Sequence, residues 1–109
     1  MVKQILQFFQ GRAQDVLGGL PPVDLTVFLN CHMWIWKQGR DQDVLDWVFK
    51  NSNHMFFQTA GLDSAGAYKI PLTGPDAIRE YLEHYGFGVE LVDTTDLHGG
   101  KRHLFFCES

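Results

Sequence analysis

The sequence predicts an α+β domain in which one layer of mostly antiparallel sheet carries helices. Three observations lead there. Residues 23–37 alternate with period two, the spacing of extended chain. Two stretches, 41–53 and 73–86, show helical spacing between start and stop residues. Short runs rich in Val, Phe and Tyr, separated by Gly- and Pro-bearing turns, fill most of the remainder. The 109 residues are read as a single domain, 1–109, and a composition 45% hydrophobic and 20% charged argues against disorder.

The elements follow in order. Val2, Ile5, Leu6, Phe9, Ala13, Val16, Leu17 and Leu20 fall on one stripe of an amphipathic N-terminal helix, ended by Gly18-Gly19 and Pro21-Pro22. Residues 23–37 come next. Their odd positions, Val23, Leu25, Val27, Leu29, Cys31, Met33 and Ile35, are all apolar and define a core face. Their even positions set Asn30 and His32 among Phe28, Trp34 and Trp36. A strand that long would run on the order of 50 Å, so a bend or break is expected near Asn30-Cys31. A helix from Asp24 to Gln38, stopped by Gly39, is the alternative.

Asp41 is placed to cap the next helix, with Asp43 in its first turn and Val44, Leu45, Val48 and Phe49 on its inner stripe. Asn51, Ser52 and Asn53 end it. Residues 54–59 form a short strand, 61–66 a loop, and 67–70 a second short strand at an edge, since Pro71 cannot donate to a ladder. Thr73-Gly-Pro-Asp76 starts a helix lined by Ile78, Tyr81, Leu82 and Tyr85 and stopped by Gly86. Strands at 89–94 and 103–107 flank a turn at 96–100. Without the first helix and last strand, the order reads β-α-β-β-α-β, the ferredoxin-like order, here with an N-terminal helix and a C-terminal hairpin strand added.

Composition narrows function. A net charge of −4 disfavours binding to a phosphate backbone. An open sheet face bearing aromatics is how RNA-recognition motifs stack bases, but the basic consensus around such rings is missing here. Cys31 and Cys107 are too few and too far apart for a disulfide framework, and are read as reduced thiols. Gln interrupts each apolar run at the N-terminus, and no segment approaches the ~20 residues of a membrane span. The expected location is the cytoplasm.

Chemical motifs are sparse. Cys31 and His32 are adjacent and would point to opposite faces of a strand, while His103 and Cys107 lie about 13 Å apart along one, so no metal clip forms. Ser52, Ser64 and Ser109 lie outside any nucleophile-elbow pattern, and Cys31 falls on the aliphatic face, where thiols are inert. Gly86-Phe-Gly88 follows a helix and precedes a strand, the wrong context for a dinucleotide fingerprint. No cofactor is implied. The leading expectation is a small protein-binding module of inhibitor, immunity or adaptor type, acting by occlusion on another protein or as a homodimer. Phe28, Trp34 and Trp36 would be its anchors, with Arg40, Lys101 and Arg102 as rim charges. The alternative is a small-molecule binder or enzyme with a sheet-face pocket, in which His32 serves as acid or base and Asn30 donates a hydrogen bond.

Overall fold

The computed structural model describes residues 17–109. The predicted helix at 2–20 lies outside them, apart from a single 3-10 turn at Leu17–Gly19. Strand β1 runs Val23–Leu29 and stops at Asn30, whose φ of 59° is left-handed. Asn tolerates that region because its short polar side chain bonds locally. The chain then turns into helix α1, His32–Lys37, closed by Gly39 at φ 71°. The alternation at 23–37 therefore spans two elements. Beyond Asn30 it coincides with a helical pattern in which His32, Met33 and Ile35 are buried and Trp34 and Trp36 are exposed.

Helix α2, Asp41–Asn51, buries Val44, Leu45 and Val48. Arg40 takes the cap position expected of Asp41. The Asp41 carboxylate instead accepts a hydrogen bond from Tyr81 Oη at 2.5 Å. Strand β2 is Ser52–Gln58. No strand forms at 67–70: Gly66 turns at φ 110°, and the segment makes isolated backbone bonds, Ile70 N–H to Ala60 O (2.8 Å) and Leu62 N–H to Leu72 O (2.6 Å). Helix α3, Gly74–Glu83, carries Pro75 in its first turn and buries Ile78 and Leu82. Strands β3, Gly88–Leu97, and β4, Gly100–Glu108, are longer than predicted. His98 and Gly99, at φ 50° and 83°, make the two-residue turn between them, the geometry that matches strand twist.

The four strands form one sheet in the order β1-β2-β4-β3. β1 and β2 are parallel, joined through α1 and α2; the other two pairings are antiparallel. The ferredoxin-like order does not form, because 67–70 is loop and 23–37 supplies one strand rather than a longer run. What remains, among the described residues, is an α+β arrangement of one four-stranded sheet and three helices.

Both long helices cover the same sheet face. Val44, Leu45 and Val48 of α2 and Ile78 and Leu82 of α3 share a core with Phe28, Met55, Phe57, Phe105 and Cys107 of the strands. On β1 this reverses the expected polarity. Phe28, an even position, is 6% exposed, while the odd positions Val23, Leu25, Val27 and Leu29 are 40–60% exposed. Parity fixes which residues share a face, but not which face the helices cover. Cys31, expected in the core, is exposed, and Cys107 is buried.

Gly100 is held against the backbone of Ser64 and Ala65, where a Cβ would overlap the Ala65 amide. Gly100→Ala is expected to cost about 1–3 kcal/mol in chemical denaturation, because backbone must move to admit the methyl. At Gly99, which has open space around it, the cost comes only from its positive φ and is expected to be smaller.

Candidate functional site

Because β1 and β2 are parallel, their carboxyl ends open at the same edge of the sheet. In open sheets with parallel strands, ligand crevices form outside those ends. Here Asn30 N–H donates to Gln58 O at 3.0 Å and extends the ladder one residue past β1. The left-handed turn at Asn30 then aims its side chain across the sheet, where Oδ1 accepts from Arg102 Nη1 of β4 at 2.6 Å. Arg102 has no carboxylate partner among the described residues, so its charge is available to the crevice.

That crevice measures about 480 Å³ and is lined by Asn30, Trp34, Gln58, Tyr68, Thr95 and Arg102, with Met33 and the 65–67 backbone completing it. Trp34 and Tyr68 form one wall, their ring centroids 4.3 Å apart and tilted by 40°. Lys37 Nζ lies over the Tyr68 ring, 4.7 Å from its centroid, and steadies it.

The helix that carries Trp34 is anchored by a buried polar chain. His32 is fully buried, with Nδ1 2.9 Å from Thr59 Oγ1 and Nε2 2.7 Å from Tyr81 Oη. Tyr81 Oη spends its one proton on Asp41, so His32 must donate through Nε2–H and accept from Thr59 at Nδ1. That assigns the neutral Nε2–H tautomer. Burial lowers the His32 pKa to about 4, against a smaller opposing pull from Asp41. Burial likewise pushes the Tyr81 phenol up, helped by its bond to Asp41. The chain ties α1, α2, α3 and the end of β2 together and so fixes the helix that carries Trp34.

A second cluster secures the far side. His103 Nε2 meets Asp63 Oδ2 at 2.6 Å, and His103 Nδ1 lies 3.0 Å from Thr94 Oγ1. Burial disfavours the charged Asp63 carboxylate, but the His103 hydrogen bond and charge, with the Gly74 backbone, hold its pKa below the usual range. With Ser64 Oγ donating to Lys101 O at 2.6 Å, this pins the loop bearing Tyr68 to the β3–β4 hairpin. Among the described residues, no three His, Cys, Asp or Glu side chains converge as metal ligands would.

Of the residues singled out in the sequence, Asn30, Trp34 and Arg102 meet in the crevice. Phe28 and His32 are buried and do not line it. Trp36 borders a neighbouring groove with Lys37 and Tyr68. Arg40 pairs with Asp43 at 2.9 Å on α2, and Lys101 is exposed at the hairpin tip. Gln58, Tyr68 and Thr95 were missed. The glycine-bearing stretch before Tyr68 marks a loop, and an aromatic residue on such a loop was the available signal.

No family model matches the chain, and no curated protein matches its sequence. Among solved structures it superposes on WbdD, in a low-resolution structure with the C-terminal bundle ordered to residue 505. The TM-score is 0.70 at 20% identity, over 94% of this chain and 21% of that one. This chain therefore spans about a fifth of that protein's length, and the likeness concerns the fold.

Proposed function

We propose that this chain is a binding domain for a small molecule bearing both an anionic group and a flat ring, held in the crevice at the carboxyl ends of β1 and β2. The observation that carries this reading is Arg102: a guanidinium oriented by Asn30 and not neutralised by a carboxylate, beside the Trp34–Tyr68 wall. A guanidinium fork suits a carboxylate or phosphate, and exposed rings suit a planar group. A non-glycine residue held at positive φ beside the crevice supports it further, since such conformations gather at ligand sites. The pocket expected around His32 thus moves to Asn30 and Arg102. His32 becomes a buried positioning residue, with no exposed atom to act as acid or base.

Thermal shift and calorimetry with adenosine 5′-monophosphate, indole-3-acetate and inorganic phosphate test this. A ring-bearing anion is expected to stabilise the protein more than phosphate does. Arg102→Ala should weaken binding roughly ten- to a hundredfold, the worth of a charge-assisted hydrogen bond, with Arg102→Lys recovering part of it. Trp34→Ala should remove the preference for ring-bearing anions. Binding that ignores Arg102, or no stabilisation by any of the three, would overturn the reading.

A further inference from the structure

The face of the sheet opposite the helices is uncovered among the described residues. Leu25, Val27 and Leu29 of β1 pair in register with His54, Phe56 and Gln58 of β2, and these in turn with Glu108, Phe106 and Leu104 of β4. Phe106 stacks on His54, with centroids 5.3 Å apart, and lies 5.0 Å from Phe56. Val27, Phe56 and Phe106 thus make one apolar row that ends among the exposed aliphatic side chains of β1, the edge of the sheet among the described residues. Parallel strands are ordinarily covered on both faces, and edge strands ordinarily carry charges, prolines or bulges that block pairing. β1 has one charge, Asp24, no proline and no bulge.

We infer that the free edge of β1 is an interface between two copies of this chain, which pair their β1 strands antiparallel into one continuous eight-stranded sheet. The backbone is set for it. Asn30 N–H points to β2, so by alternation the even residues of β1 face β2. The N–H and C=O groups of Val23, Leu25, Val27 and Leu29 are left along the free edge. The sequence is self-complementary about Thr26. A dyad there sets Val23 opposite Leu29 of the second copy, Leu25 opposite Val27, and Asp24 opposite Phe28. No like charges meet, and the exposed aliphatic strip of one copy runs directly into that of the other. Pairing all seven residues satisfies the edge groups and shields the aliphatic side chains flanking the junction.

The dyad gives a specific test. Thr26 would face its own copy in a non-hydrogen-bonded pair, with Cα atoms roughly 4.5 Å apart, within disulfide range. In a Cys31→Ser background, Thr26→Cys is expected to form a covalent dimer under mild oxidation. Sedimentation of the full chain over a concentration series should show a monomer–dimer equilibrium. Val27→Lys replaces an exposed side chain on the edge and should shift that equilibrium at least tenfold toward monomer, with its circular dichroism unchanged. Wild-type chain that stays monomeric throughout would overturn the proposal, and residues 1–16 or a different protein would then be the occupant. A Val27→Lys variant that dimerises as wild type does, or a Thr26→Cys chain that does not cross-link, would also overturn it.

Discussion

Phe57→Ala is expected to destabilise the fold by about 3–5 kcal/mol, measured by chemical denaturation. Phe57 is fully buried on β2. Its ring stacks on Phe28 at 5.8 Å and meets the edge of His32 at 5.0 Å, so its loss opens a cavity directly under α1. Neither neighbour can fill that space. Phe28 is fixed by its strand, and His32 is bonded at both ring nitrogens. The adjacent Phe56 is the control, because it is a half-buried ring on the opposite face. Phe56→Ala is expected to cost less than half as much in dilute solution. Equal costs would mean that both faces are packed alike, contradicting a sheet covered on one side. Because α1 carries Trp34, Phe57→Ala should also loosen the crevice wall and weaken ligand binding beyond its effect on stability.

The same contrast shows what the sequence could and could not disclose. Alternation within 23–37 revealed the strand at Val23–Leu29, and the apolar stripes and stop residues within 41–53 and 73–86 revealed two helices, because each signal is local; the cap expected at Asp41 fell to Arg40. Gly86, at φ 103°, is such a signal: a Cβ there would come within 2.8 Å of the Phe49 ring. The polarity of β1 was not local. Val23, Leu25, Val27 and Leu29 make as good a core face as any, and only the packing of α2 and α3 decides that Phe28 points inward. The break expected near Asn30-Cys31 is where β1 ends, but the helix after it was hidden because residues 32–36 satisfy period two and helical spacing together. The candidate site was half legible. Asn30, Trp34 and Arg102 drew notice as polar and aromatic residues, but Asn30 and Arg102 are 72 positions apart and meet only through the β1-β2-β4 order. His32 drew notice for the same chemistry, and burial makes it a structural centre.

That burial sets the second large effect. The contribution of His32 to stability should be full above about pH 6.5 and fall by up to about 3 kcal/mol as the pH drops to about 4. Unfolded, His32 takes up a proton near its ordinary value of 6.5; folded, it does so only near 4. Between these values the unfolded state binds more protons, so acid favours unfolding, and below about 4 this contribution no longer changes. The neighbours fix the sign. Thr59 and Tyr81 are the hydrogen-bond partners, and Asp41, the carboxylate at the end of this hydrogen-bonded series, meets Tyr81 rather than the imidazole and offsets only part of the burial cost. His32→Gln should lower stability at neutral pH but flatten the decline between pH 6.5 and 4, which separates His32 from the surface carboxylates that titrate in both proteins. Nitrogen chemical shifts should report a neutral Nε2–H imidazole in the folded protein at pH 5, and an imidazolium there would refute the assignment. His32 lies two residues from Asn30 and two from Trp34, so protonating it breaks the support shared by both crevice residues. Ligand affinity of the folded protein should therefore hold at pH 5 and fall only as the pH approaches about 4, where folded His32 takes up its proton, and the fall should be smaller in His32→Gln.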